Sequence, residues 1–335
     1  MALLKIYTDE NAAREHLESL NWPDGPICPH CGTVNEATKL AGKSTRPGVY
    51  KCRPCQKPFS VTVGTVFERS KIKLNTWVHA VDLYTASKKG FSAHQLHRTM
   101  GVTYKTAWFM AHRIREAMTE QKGPKNPMGG EGKIIEADET YFGKKADKPK
   151  LRTSGQPFIK SGKAAHKIAI VSLVERGGKV RSFHVDQSNS KALSDILFTN
   201  VKRNSTLNTD ESKLYTVLGK EFAKHDTVNH GSKEYVRYFN EVTDKPRADG
   251  KPLVVTHTIT TNTVEGFFSI FKRGMKGIYQ HCSEQHLHRY LAEFDFRYNN
   301  RIAMGINDAE RSENALKGIV GKRLMYRRPD EAKVS

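Results

Sequence analysis

The chain has 335 residues, enough for two or three domains with at least one sizeable core. Its formal net charge is +20 and its isoelectric point about 9.7, an excess that points to a polyanion, nucleic acid before an anionic membrane surface. No apolar run approaches the roughly 18 to 20 residues of a membrane span, and the first residues lack a basic start followed by a long apolar region, so no membrane partner and a cytoplasmic, nucleoid-associated location are expected.

Asp9 to Leu20 reads as a short helix, followed by an exposed Asn-Trp-Pro-Asp-Gly turn. Two close cysteine pairs come next, Cys28-Pro-His-Cys31 and Cys52-Arg-Pro-Cys55, while Cys282 stands alone. In a reducing compartment such pairs read as a tetrahedral zinc site on two β-hairpin turns, a zinc ribbon. Disulfides or redox centres are the competing reading, but a thioredoxin-like motif needs one pair inside a βαβ unit. His30 lies within the first pair, yet four thiolates already complete the coordination sphere. Tyr50 to Cys52 and Pro58 to Val63 supply alternating strand residues. So small a domain, residues 1–65, has little core, and bound zinc would provide much of its folding free energy. Cys282 is read as a buried or idle thiol.

From Leu74 to Glu120 the pattern is helical, with Trp77, Val78, Val81, Leu83 and Tyr84 as an apolar stripe. Ser92 can cap one helix, Gly101 make the turn and Thr103 cap the next. That is the spacing of a helix-turn-helix, whose second helix enters the DNA major groove. Tyr104, Lys105, Thr106 and His112 are then the DNA-facing candidates, with Trp108 and Ile114 in the core. An ordinary helical hairpin has similar spacing; the preceding ribbon and the charge favour DNA. Residues 66–125 are read as this DNA-binding domain, and the Gly- and Pro-rich run Gln121 to Gly132 as a linker.

A third domain, residues 126–310, opens on a strand from Lys133 that runs into Asp138 and Glu139. A basic loop with Lys144, Lys145, Lys148, Lys150, Arg152, Lys160 and Lys163 follows, either a solvated segment or a phosphate clamp. Strands Lys167 to Val174 and Val180 to Val185 join at Gly177-Gly178 as a hairpin. Ser190 to Asn200 reads as a helix, Ser205 to Glu211 as a strand that again ends in acids, and Thr227 to His230 as a short strand. A basic, irregular insertion is expected up to Val255. Thr261 then caps a helix with the apolar set Val264, Phe267, Phe268 and Phe271, and residues 311–335 form a basic tail.

Strands one and four of this order would be sheet neighbours, with the late helix packed across them, so Asp138, Asp210 and Glu265 can converge. Asn262 and Lys272 share Glu265's side of that helix. Three carboxylates need compensating charge, because like charges raise one another's pKa, and hard oxygen ligands suit magnesium or manganese. Two such ions can activate water or a 3′-hydroxyl and stabilise the leaving oxygen in phosphodiester displacement, with Lys272 on a DNA phosphate. Glu139 and Glu211 compete with Asp138 and Asp210 as ligands, and the helix's polar face can equally be a solvated one. The expected fold class is α/β: a ribonuclease H-like domain, a mixed sheet with helices, preceded by the zinc ribbon and the helix-turn-helix.

Asp138-Glu-Thr-Tyr, Thr209-Asp210-Glu, the run from Asn262 through Glu265, Lys272 and Arg273 to Tyr279, and His286 to Asn299 together resemble the ISXO-type insertion-sequence transposases. These form a zinc-ribbon bacterial family related to the eukaryotic Merlin transposases. The resemblance covers nearly the whole chain, ribbon included. It implies a DDE-type recombinase, a homo-oligomer on double-stranded DNA that binds terminal inverted repeats, then cuts them and joins them to target DNA in a metal-assisted reaction. It places catalytic positions at Asp138, Asp210, Glu265 and Lys272, with Arg273 on DNA. Some relatives have an asparagine at the third position, so Asn262 and Glu265 stand as alternatives. Two other readings remain: a ribbon and helix-turn-helix regulator with a catalytically silent domain, and a structure-selective nuclease without strand transfer.

Overall fold

The computed structural model describes residues 2–120, 122–144, 153, 167–246 and 252–324. Helices α1 (Ala2–Thr8) and α2 (Glu10–Asn21) open the chain, and the Asp9 carboxylate caps α2 by accepting from the Asn11 backbone N–H at 2.7 Å. A three-stranded antiparallel sheet follows, with β1 (Ala37–Lys39), β2 (Tyr50–Cys52) and β3 (Pro58–Phe59) side by side. Trp22, Tyr50 and Phe59 pack together on it and, with the cysteines, make its small core. Then come α3 (Leu74–Ala86), α4 (Ala93–Met100) and α5 (Tyr104–Ala117). Ser92 and Thr103 cap α4 and α5 as their spacing predicts, each hydroxyl accepting from an N–H three residues on. Between the two helices Gly101 sits at φ 64°, a left-handed turn that a side chain would strain.

The next segment holds β4 (Ile134–Phe142), β5 (Ile168–Glu175), β6 (Val180–Val185), α6 (Ser190–Asn200), β7 (Thr206–Asp210), α7 (Lys213–Leu218) and β8 (Lys224–Val228). They form a mixed α/β arrangement around a five-stranded sheet in the order β6-β5-β4-β7-β8. The β6, β5 and β4 neighbours run antiparallel, whereas β7 runs parallel to β4 and β8 parallel to β7. Ile168 to Val174 is buried throughout, which is why it reads as a run apolar at every position but Ser172, whose hydroxyl donates to Ser182 Oγ at 2.9 Å. The stretch expected to be an irregular insertion is instead a hairpin of β9 (Val236–Pro246) and β10 (Pro252–Thr260), paired from Val236↔Thr260 outward. Val236, Thr243, Val254, Val255, Thr256 and Thr258 supply the β-branched content that a strand favours, and the charged residues between them obscure it in the sequence. Helix α8 (Asn262–Gly274) buries Val264, Phe267, Phe268 and Phe271, the predicted face. After a π-helical turn, Met275–Tyr279, come α9 (Leu287–Asn299) and α10 (Asp308–Lys317).

The chain forms two compact units, Met1–Glu120 with Ala292–Ser335, and Gln121–Leu291. In the first, Leu17, Phe67, Trp77, Tyr84, Leu96, Met110, Ile114 and Leu316 share one core. The boundary expected before residue 311 falls inside α10, which packs on α3 and buries Arg311, Ala315 and Leu316; residues 325–335 of the expected tail lie outside the described residues. Glu293 is fully buried and pairs with Arg115 at 2.7 Å and with Arg297, so part of the motif in His286 to Asn299 is internal scaffolding. In the second unit the core gathers Ile135, Val171, Leu173, Leu193, Leu197, Leu207 and Tyr215. The run expected as a linker is packed here: Met128 is buried, and its N–H donates to the Asn200 carbonyl at 2.7 Å. Gly129, at φ 79°, is needed there, because a Cβ would stand 2.2 Å from Ser205 Oγ. Of the basic loop, Lys145, Lys148, Lys150, Arg152, Lys160 and Lys163 lie outside the described residues.

Candidate functional site

The four paired cysteines come together at the ribbon. Cys28 Sγ lies 3.7 Å from Cys55 Sγ and Cys31 Sγ 3.6 Å from Cys52 Sγ, and all four sulfurs lie within 4.8 Å of one another. A disulfide would need about 2.05 Å. A tetrahedron with Zn–S bonds of about 2.3 Å has an edge of about 3.8 Å, which these separations match. The donor set therefore fits a structural zinc ion. Cys282, buried, lies elsewhere with its Sγ against the Ser283 carbonyl. Cys52→Ser is expected to lower bound zinc from one equivalent towards none and to loosen residues 8–58, while the second unit keeps its fold; metal analysis showing one full equivalent in the variant would refute the assignment.

On α5, Tyr104 and Lys105 are exposed and Thr106 is half-buried; Tyr104 stacks on His94 with ring centroids 4.3 Å apart. His112 is a correction. It is fully buried against Trp108, because Met110 to Arg115 are buried on every side of the helix, so it does not face DNA. Ile114 is buried as expected, and Trp108 is half-buried.

In the second unit the acids gather at one end of the sheet. The parallel ladder between β4 and β7 closes at Glu136↔Asn208, and Asp138 and Asp210 each stand two residues beyond that rung. Glu265 occupies the first turn of α8. Burial above all, with the charges of Glu139, Asp210 and Glu265 added, pushes the Asp138 carboxyl up to about 7, against the opposing effect of the Glu139 N–H that it accepts. Asp138, Glu139, Glu265, Lys272, Arg273 and Lys276 line one open cavity of about 720 Å³. Burial lowers the Lys272 pKa, and the Asp138 charge opposes that. Glu265 Oε1 accepts from Thr261 Oγ1 at 3.2 Å and lies 3.2 Å from His230 Nε2. Asn262 is exposed, one turn before it.

The neighbouring acids are engaged elsewhere. Both Glu211 oxygens accept backbone N–H groups, of His230 at 2.9 Å and Gly231 at 3.1 Å; its own backbone N–H first, then these two, lower the carboxyl's pKa. Glu139 accepts from Ser188 Oγ at 3.0 Å, and burial raises its pKa. Among the described residues, the sets of three or more potential ligands with all donor atoms within 4.8 Å are the cysteines and His184, Asp186 and Glu284, so Asp138, Asp210 and Glu265 stand further apart. Their oxygen donors and mutual repulsion suit a hard divalent cation.

The ISXO2-like transposase domain model matches residues 129–299, a span that contains all of these acids. This chain belongs to the ISXO2-like transposase family. The transposase zinc-ribbon domain model matches residues 8–58 and takes in all four ribbon cysteines. A Halobacterium salinarum protein described as an uncharacterized protein in transposable element ISH50 is 27% identical over 243 residues, covering 70% of this chain and 79% of that protein. Among solved structures, the Drosophila P element transposase strand transfer complex is similar at 13% identity over 75% of this chain; this chain spans 64% of that chain's length, and the TM-score of 0.23 supports no statement about fold.

The sequence of this ISXO2-like chain does not announce how α8 is anchored. Thr261, its N-cap residue, makes no side-chain cap. Glu136, fully buried on β4, supplies one instead: it accepts from the N–H groups of Thr263 and Val264 at 2.8 and 3.1 Å and from Thr263 Oγ1 at 2.8 Å. Arg176 bridges to Glu136 at 2.9 Å and donates to the Thr258 carbonyl at 2.7 Å. Thus β4, β10 and α8 are locked at the point where Asp138 and Glu265 leave them. The available signal was an acid inside the apolar run Ile134-Ile-Glu-Ala, a place where only a satisfied carboxylate is tolerated. His230 was missed as well, since nothing in the sequence ties a short turn to α8.

Proposed function

We propose that this protein is a DDE transposase that binds terminal inverted repeats as a homo-oligomer, cleaves the DNA and transfers the ends to target DNA. The observation that carries the reading is the placement of Asp138 and Asp210 at matching levels on adjacent parallel strands, with Glu265 and Lys272 on a helix beside them. The strand order β6-β5-β4-β7-β8, three strands antiparallel and two parallel, agrees with a ribonuclease H-like sheet. Magnesium or manganese, when bound, would supply Lewis-acid activation of water or a 3′-hydroxyl and stabilise the leaving oxygen.

In this reading Asp138, Asp210 and Glu265 hold the ions. Lys272, on the wall that Asp138 and Glu265 share, takes a non-bridging phosphate oxygen, and Arg273 extends the basic wall. His230 and Thr261 orient Glu265. The pair α4 and α5 acts as a helix-turn-helix, with Tyr104, Lys105 and Thr106 towards the groove. The test is a nicking assay on an inverted-repeat duplex with and without magnesium, followed by joining of a pre-cut end. Magnesium-dependent nicking and joining support the reading. Binding without nicking indicates a regulator, and nicking without joining a nuclease.

A further inference from the structure

A second cavity, of about 300 Å³, lies in the first unit against α5 and is lined by Arg69, Lys71, Lys105, Thr106, Phe109 and Arg113, among others. Lys105, Phe109 and Arg113 follow at four-residue steps and so share one face of α5. Arg69 and Lys71 come from the segment before α3 and are exposed. Arg113 is only 9% exposed. Its Nη1 donates to the Glu68 carbonyl at 3.3 Å and its guanidinium lies 4.6 Å from the Phe109 ring centroid, but its buried Nε has no acceptor. Burial lowers its pKa, and the Arg323 charge adds to this. Glu68, the acid beside the cavity, is already shared between Arg69 at 3.8 Å and Arg323 at 3.7 Å. Lys105 and Thr106 lie in the first turn of a 14-residue helix, whose dipole favours an anion.

We propose that this pocket holds one phosphodiester of the bound DNA, with the phosphate among Arg69, Lys71, Lys105 and Arg113 and the deoxyribose against Phe109. The site rests on the DNA-binding reading above and adds to it a strand anchor that is indifferent to sequence. Phosphate contacts of this kind fix register without reading bases.

The test uses the full-length R69N/K71Q variant. Both side chains are exposed, and Asn tolerates the φ of 56° at position 69. Affinity for an inverted-repeat duplex and for an unrelated duplex of equal length is measured across a salt series, with phosphate-ethylation interference on the first. The variant is expected to weaken both duplexes by the same factor, to flatten the slope of log K against log salt by about one, and to lose interference at one phosphate per end. An unchanged slope and interference pattern, with wild-type protein binding and nicking normally, overturns the pocket and leaves the transposase reading intact. Loss of the inverted-repeat affinity alone also overturns it, since these side chains would then be on base edges. If wild-type protein binds neither duplex, the DNA reading fails together with the pocket.

Discussion

Asp138→Asn, Asp210→Asn and Glu265→Gln are each expected to lower cleavage and joining by roughly a thousandfold or more while DNA affinity stays within a few-fold. In the proposed mechanism each carboxylate would hold the metal ions that stabilise charge developing only in the transition state, and several kcal/mol of barrier correspond to such a factor. Folding should survive, because amides keep the shape. The metal-free protein carries a further signature at Asp138. Its carboxyl is raised from 3.8 to about 7 on folding, so the folded protein keeps a proton between those values that the unfolded chain has released. Stability therefore falls as pH rises through that window. Asp138→Asn should stabilise metal-free protein at pH 8, by a few kcal/mol at most at about 1.4 kcal/mol per unit, and not at pH 3.5. Asn262 separates two assignments. If Glu265 is the third ligand, Glu265→Gln abolishes cleavage and Asn262→Ala only slows it; the reverse pattern gives the position to the amide. Quantitative binding and single-turnover cleavage on one substrate decide all four variants.

The sequence carries short-range chemistry well and long-range partnership poorly. Four cysteines, the caps at Ser92 and Thr103 and the turn at Gly101 are local geometry, and each reappears in the structure. The pairing of β4 with β7 follows from element order. His112 was misplaced because helical periodicity sets it on the Lys105 side, and periodicity cannot tell that the second half of α5 is enclosed all round. The β9–β10 hairpin and α10 hid behind charge: their structural residues alternate or recur among Lys, Arg and Asp, whose composition reads as loop. The arrangement of the acids was legible only as a possibility. What positions them, Glu136 with the N–H groups of Thr263 and Val264, joins residues 127 and 128 positions apart, and no local pattern reports that.

Glu136→Ala is expected to destabilise the second unit by about 2–4 kcal/mol, since it strips the buried Val264 N–H and the half-buried Thr263 N–H of their acceptor and takes the carboxylate from Arg176. The lower part of the usual range for a broken buried pair applies, because Arg176 is 27% exposed and keeps the Thr258 carbonyl. Tryptophan fluorescence would miss the change, as Trp22, Trp77 and Trp108 all belong to the first unit. Hydrogen exchange resolves it: the amides of Thr263 to Phe267 should exchange faster, while those of α3 stay protected. Glu136→Gln keeps one oxygen for the helix N–H groups and loses the charge opposite Arg176, so it should fall between alanine and wild type. Cleavage should drop in both variants further than DNA affinity does, because Glu265 rides on the same turn. With Arg176→Met, Glu136→Gln should cost less than the sum of the single changes, the signature of one coupled pair. Exchange of the α8 amides as slow in Glu136→Ala as in wild type would show that the apolar face of Val264, Phe267 and Phe271 alone seats the helix.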